Sequence, residues 1–352
     1  MDNITHTLVG LTLVRAGVGR RTAGAMTAML LASNAPDLDI VSAITGGAVP
    51  YLAMHRGPTH GVLGIVALAL ASALVAWSVP ALRRRPLPAW RTLGALVGIA
   101  MCGSALHVLM DLPTSYGVRL FFPFDPTWYA LDWMPIVDVY VWALLGAGLV
   151  VAWVGPERRV QAARVVLAAI VCFYGVRAAA QSRALAIAAS TTADGTATPC
   201  ANAPVLSRHP GLLEAHAAGP GACLQAAALP TFFSPLTWQL VRQQTNGYEL
   251  RTLSLLDSGR PALDRRWIPT ESDAWVAAAR RTTTGRVFLN FSRMPATRSV
   301  VQPDGSHRVR LLDVRFIGGP FQFNDDPEMR PPFVATVVVS PAGTILREGL
   351  GL

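Results

Sequence analysis

Residues 61–80 form a run without a single charged side chain, from Gly61-Val62-Leu63-Gly64 onward to Pro80. As a helix rising 1.5 Å per residue, such a run covers roughly 30 Å, the hydrocarbon thickness of a bilayer. Comparable runs occupy about 92–110, 134–154 and 163–181. Two shorter ones, about 4–18 and 22–35, lie near the lower limit for crossing, and Asp2 and Asn3 supply N-cap residues for the first. The stretch 40–52 is apolar but interrupted by Gly46, Gly47 and Pro50, as expected of a re-entrant or interfacial segment. The pattern predicts about six spanning helices within residues 1–183.

After Arg183 the pattern changes. Residues 184–235 are rich in Ala, Thr, Gly and Pro and read as a linker with little helix. From Leu236 short strand-like runs follow: Trp238 to Arg242, Tyr248 to Leu256, Arg286 to Phe291, Arg308 to Phe316 and Phe333 to Val339. Turn signals separate them at Asn246-Gly247, Asp304-Gly305 and Ala342-Gly343. The expected fold class is an α-helical polytopic membrane domain followed by a smaller β-rich (α+β) domain over 236–352.

Composition agrees. Of 352 residues 52% are hydrophobic and only 14% charged, against about 25% charged in a soluble domain. The net charge of +9 comes from Arg, with no Lys in the chain. A nucleic-acid surface would gather these cations on one aromatic-laced patch. Here they sit at helix ends, so no nucleic-acid partner is expected. Arg15, Arg20 and Arg21 lie between the first two helices, Arg83, Arg84, Arg85 and Arg91 between the third and fourth, and Arg158, Arg159 and Arg164 between the fifth and sixth. Alternate loops share one face, and the positive-inside rule makes that face cytoplasmic. The β-rich domain is then extracytoplasmic. No basic region follows Met1-Asp2-Asn3, so the first helices are expected to act as their own insertion signals. The aromatic segment 119–135, with Phe121, Phe122, Phe124, Trp128, Tyr129 and Trp133, reads as an interfacial belt, with a substrate-facing role as the alternative.

Cys102 and Cys172 fall in apolar runs and read as inert core residues. Cys200 and Cys223 fall in the outer part, where oxidation is permitted, and are expected to form a structural disulfide.

The candidate chemistry lies at the other helix ends. Four of the seven histidines stand in the first 107 residues, and they alternate with carboxylates: His6, Asn34-Ala35-Pro36-Asp37-Leu38-Asp39, His55-Arg56-Gly57-Pro58-Thr59-His60, and His107 with Asp111. Ionisable groups beside hydrocarbon are costly and are kept mainly for a substrate, an ion or a metal. His107 and Asp111, at i and i+4, share a helix face and form a mixed nitrogen–oxygen pair suited to Zn, Mn or a similar divalent ion. A buried His–Asp hydrogen bond has the same spacing. Asp37 and Asp39 on an irregular turn can face one cation, or can be a solvated helix-end pair. Arg56 offers a planar fork for an anionic substrate or, equally, a snorkelling cation. Asp132 and Asp138 fall on the same outer side, whereas His209, His216 and His307 show no ligand spacing. Seven groups exceed the needs of one four-coordinate zinc and could furnish a two-metal centre.

Thr5-His6, Pro36-Asp37-Leu38-Asp39, His55-Arg56-Gly57-Pro58-Thr59-His60 and His107 followed by Asp111, Thr114 and Gly117 together resemble the YdjM-type inner-membrane, predicted metal-dependent hydrolases. The likeness covers about the first 125 residues, and Pro230 to Trp238 looks like the segment opening the outer domain of longer members. One departure is Gly61, where a Ser commonly follows the His-Arg-Gly-x-Thr-His run. The resemblance implies a multi-pass protein of the bacterial inner membrane with a metal site at those His and Asp positions.

The expected function is a divalent-metal hydrolase, Zn foremost, acting at the outer face on an ester or phosphoester of a lipid or lipid-linked substrate. The candidate ligands are His6, Asp37, Asp39, His60, His107 and Asp111. His55 and His60 would ligate or carry protons, and Arg56 would stabilise an anionic substrate. The alternative is a scaffold or binding protein with a structural metal. A proton-relay transporter fits less well, because the later helices have uncharged centres.

Overall fold

The computed structural model describes residues 1–82, 84–190, 200, 223–257, 265–317 and 333–351; Arg83, His209 and His216 lie outside them. The chain forms two compact units, Met1–Ile40 with His55–Ala178, and Val41–Met54 with Ala179–Leu352.

The first unit is helical. It contains α1 (Asn3–Ala16), α2 (Ala25–Asn34), α5 (Val62–Leu82), α6 (Trp90–Asp111), α7 (Val139–Val154) and the first part of α8 (Arg159–Ser190). Among the described residues three helical stretches are long and apolar enough to cross a membrane: Val62–Leu82, Trp90–Asp111 and Pro156–Ser190. The expectation of six is thus met by three on length and composition. At 14, 10 and 16 residues, α1, α2 and α7 are shorter.

Side-chain size is sorted radially. The buried stripe of α5 is Ala69, Ser72, Ala73 and Ala76, while Val66, Leu70, Leu74 and Val75 point outward. Ala25, Ala28, Met29 and Ala32 of α2 and Leu96, Ile99 and Ala100 of α6 complete this core. Small residues let helix backbones approach where burial from water gives no drive between helices. Gly103 shows how closely: a Cβ there would lie 3.1 Å from the Met29 carbonyl oxygen. Cys102 and Cys172 correct the sequence reading, for both are exposed on outward helix faces rather than packed inside.

The Arg-bearing ends converge. Arg164 Nε donates to the Ala16 carbonyl (3.1 Å), and Gly24 lies beside the carbonyl of Ala76, near the end of α5. The capping Asp138, whose carboxylate accepts from the Tyr140 and Val141 amides, starts α7.

The second unit carries α3 (Val41–Gly46) and α4 (Ala48–Met54), separated at Gly47, then the end of α8 and two four-stranded antiparallel meanders. The first is β1 (Cys223–Pro230), β2 (Thr237–Gln244), β3 (Gly247–Ser254) and β4 (Arg266–Pro269). The second is β5 (Pro295–Val301), β6 (His307–Asp313), β7 (Val334–Val339) and β8 (Ile345–Gly351). Between them come α9 (Ala274–Arg281) and α10 (Thr283–Phe291). Val241, Tyr248, Leu250, Ala296, Leu312 and Val334 form a core common to both sheets. On β2 the alternation sends Trp238 and Leu240 the other way, against Ala184, Leu185 and Ala188 of α8.

Three readings change here. Arg286–Phe291 is helical, because Thr282 caps the Gly285 amide and the buried Thr284, Phe288 and Phe291 follow helical spacing. The segment 184–235, read as a linker, includes the end of α8 and strand β1. Val41–Met54 clusters with the second unit, where α4 packs on α10 and β8.

Cys200 and Cys223 are joined in a disulfide, with Cα atoms 5.0 Å apart. Thiol titration of the denatured, unreduced protein is therefore expected to count two thiols, those of Cys102 and Cys172. Removing the bridge is expected to cost the second unit about 2–5 kcal/mol; four titratable thiols would refute the pairing.

Candidate metal centre

The site lies wholly within the first unit. The irregular turn after α2 brings Asp37, the loop before α5 brings His60, and the last turn of α6 brings His107 and Asp111. These four residues form a group whose potential ligand atoms all lie within 4.8 Å of one another. His60 Nε2 stands 3.3 Å from His107 Nε2, 3.3 Å from Asp111 Oδ2 and 3.7 Å from Asp37 Oδ1. His107 Nε2 stands 3.4 Å from Asp111 Oδ2 and 3.5 Å from Asp37 Oδ1. A tetrahedron with zinc–ligand bonds of roughly 2.0–2.1 Å has edges of about 3.3–3.4 Å. Five of the six edges here approach that figure.

The imidazoles are set for ligation. His107 Nδ1 donates to the Ser33 carbonyl (2.7 Å), which fixes the tautomer and leaves the Nε2 lone pair facing the group. His60 Nδ1 faces Thr59 Oγ1 at 3.0 Å and Asp39 Oδ2 at 3.8 Å, an arrangement that favours the same tautomer. Burial, followed by the charge of Arg56, holds the His60 imidazole below its ordinary range and hence neutral. Burial raises the Asp37 carboxyl, but neighbouring charges, Arg56 among them, bring it below its ordinary value. Neutral imidazole and ionised carboxylate are the ligating forms.

Three atoms signal that the cluster is incomplete as a hydrogen-bonded network. Asp111 Oδ2 and both ring nitrogens of His6 are buried without a hydrogen-bond partner. Buried polar atoms normally find one, and an ion is a standard explanation when they do not.

The remaining sequence-predicted residues surround the four. His6, on α1, stacks on His107 with ring centroids 3.7 Å apart and brings Nε2 to 3.5 Å from Asp111 Oδ1. The Met1 amine reaches the same oxygen. Asp39 is turned away from the four-residue group: its Oδ2 accepts from the Arg56 amide (2.8 Å) and from His55 Nδ1 (2.9 Å). Arg56 points inward, with Nη2 on Asp111 Oδ1 (3.0 Å) and Nη1 on the Gly117 carbonyl (3.0 Å). It is an internal cation and not a snorkelling one.

Sequence reasoning missed Arg119. This buried guanidinium donates to the His55 carbonyl (2.7 Å) and lies over the rings of Phe122 and Trp128. Its amide donates to the Arg56 carbonyl, so it ties the aromatic segment to the ligand loop. The only signal was a cation at the edge of an aromatic stretch. That stretch is no uniform belt, since Trp128 is buried against Tyr116 while Phe124 is exposed. Asp132 is buried, and Asp138 serves as the α7 cap, outside the four-residue group.

Position 61 is confined to glycine by its surroundings. A Cβ on Gly61 would lie 2.5 Å from the Phe122 carbonyl oxygen and 3.3 Å from that of Gly57. This loop leaves no room for a serine.

No curated protein and no solved structure matches the chain. The family model of the YdjM inner membrane protein matches residues 1–184, the part that carries every residue of the centre. The chain therefore belongs to the YdjM inner membrane protein family.

Proposed function

We propose that this protein is a membrane-bound hydrolase dependent on a divalent metal, Zn foremost, acting on an ester or phosphoester of a lipid or lipid-linked substrate at the outer face of the inner membrane. The observation that carries the reading is the close group of Asp37, His60, His107 and Asp111, with the Nε2 atoms of both imidazoles turned inward. A divalent ion held by these residues supplies Lewis acidity and lowers the pKa of water.

Asp37 is the most accessible of the four, its side chain 16% exposed where those of His60, His107 and Asp111 are 0% exposed. Substrate reaches the centre from that side. His55, held by Asp39 with its ring centroid 6.4 Å from that of His60, is suited to carry a proton. The lipid class is supported by the ligands at the end of α6, a candidate span, and by exposed Ile4, Leu38 and Ile40 in the neighbouring segments. The outer location is supported by the convergence of the Arg-bearing ends away from the ligands, and by the disulfide in the second unit.

One observation favours a scaffold with a structural metal instead. Four protein donors can close a tetrahedron unaided, whereas catalytic zinc keeps a position open. Detergent-purified protein, stripped with chelator and reloaded with Zn or Mn, separates the two when assayed on phospholipids and small phosphodiesters. Metal-dependent turnover that falls at least about 100-fold in Asp37→Asn is the expected result. Fully loaded protein that turns over no ester or phosphoester would establish the scaffold reading.

A further inference from the structure

Arg56 is out of place in a simple metal site. It is buried, its backbone is left-handed at φ 51°, and its guanidinium is aimed at a residue of the centre rather than at solvent. A non-glycine residue held in that conformation needs surroundings that over-determine it. Here they are the Gly117 carbonyl (3.0 Å), Thr114 Oγ1 (3.5 Å), the Tyr116 ring 4.7 Å below, and the Asp39 carboxylate on its amide.

Asp111 divides its two oxygens. Oδ2 faces the His60 and His107 nitrogens, whereas Oδ1 takes Arg56 Nη2 at 3.0 Å, with the Met1 amine on the same oxygen and His6 Nε2 3.5 Å away. In a two-metal centre a carboxylate gives one oxygen to each ion, the ions standing roughly 3.5–4 Å apart. In this chain the oxygen owed to the second ion goes to a guanidinium. His6 nevertheless remains beside it, 2% exposed, with neither ring nitrogen hydrogen-bonded. Asp39 Oδ2 is held by His55 and by the Arg56 amide, turned away from the space between Asp111 and His6.

We propose that Arg56 stands in the place of a second metal ion: the centre takes one divalent ion among Asp37, His60, His107 and Asp111, and the guanidinium provides the second positive charge at Asp111 Oδ1, excluding an ion from the space between Asp111 and His6. This rests on the four-residue group being a metal site. The fixed charge does the electrostatic work of a second ion without depending on metal supply.

Elemental analysis and calorimetric titration with Zn and with Mn, on the detergent-purified full chain, test the proposal. One ion per chain is expected in the wild type and in Arg56→Lys. Two are expected in Arg56→Ala, the second weaker, and one again when His6→Ala is added. Two ions in the wild type, or a single ion of undiminished affinity in Arg56→Ala, would overturn the proposal while leaving the metal site standing. No ion in the wild type would overturn both. Should Arg56→Ala fail to fold, Arg56→Met fills more of the vacated space and carries the same expectation. His6→Ala alone is expected to keep one ion with affinity within about threefold of wild type; a tenfold loss would make His6 a ligand of the first ion and end the proposal.

Discussion

His107→Ala protein is expected to leave detergent purification without stoichiometric divalent metal, and its affinity for added Zn is expected to fall by at least about 100-fold. No other side chain of the centre has as many duties. Its Nε2 lies 3.3–3.5 Å from the other three candidate ligands. Its Nδ1 is spent on the Ser33 carbonyl, which fixes the ring, and its face is covered by His6. Truncation to Ala removes a donor and leaves the Asp37 and Asp111 carboxylates facing each other across a cavity. Loss of a buried ring leaves a void, and large-to-small changes of this kind cost about 2–5 kcal/mol, so the apparent Tm should fall too. Asp111→Asn, which keeps the volume and removes the charge, is expected to lose metal with a smaller thermal effect. Elemental analysis alongside thermal unfolding measures both, and full metal occupancy in His107→Ala would refute the site.

Placing a serine at position 61 is expected to harm this chain. Gly61→Ser should lower stability by about 2–4 kcal/mol, read as a drop in apparent Tm, and weaken metal binding together with it. The obstacle is main chain on both sides. The added Cβ meets the carbonyl oxygens of Phe122 and Gly57, and neither can swing aside as a side chain would. The loops are further pinned by bonds from the Val62 amide to the Leu120 carbonyl (3.1 Å) and from the Gly61 amide to the Gly57 carbonyl (2.8 Å). The strain is relieved only by moving the loop that carries His60. Gly98, where a new Cβ meets nothing within 4 Å, provides the control. Gly98→Ala should leave Tm unchanged or raise it slightly, since Ala is the better helix former by about 1 kcal/mol. A Gly61→Ser protein with wild-type Tm and metal affinity would show that the loop yields more easily than its geometry indicates.

All four residues of the proposed ligand group stood out in the sequence, because His and Asp at the ends of apolar helices have few uses beyond binding. Their ranking did not. Asp37 and Asp39 look alike two positions apart, yet the tight turn carrying them sends one to the imidazoles and the other to the Arg56 amide. The role of Arg119 depends on a bond to His55 across 64 residues of sequence, which no local period encodes. Cys102 and Cys172 were misplaced because apolar surroundings read the same whether they are protein or lipid. Hairpin positions in the second unit were legible from their glycine turns. The short α10 was not, because Val287-Phe288-Leu289 suits either element until its buried spacing is known.

The Ser33–His107 contact joins the chemistry of the centre to the meshing of α2 with α6. Just above it Ser104 Oγ donates to the Ala32 carbonyl (3.1 Å), and Gly103 lets the two helices meet. His60 and His107 are 47 positions apart in the chain, so an ion shared by them closes a long loop much as a covalent staple does. With the proposed ion bound, its occupancy is a gauge of tertiary assembly. A bulky residue at position 103 should empty the site without touching a ligand, and a chelator should loosen helices that it never contacts.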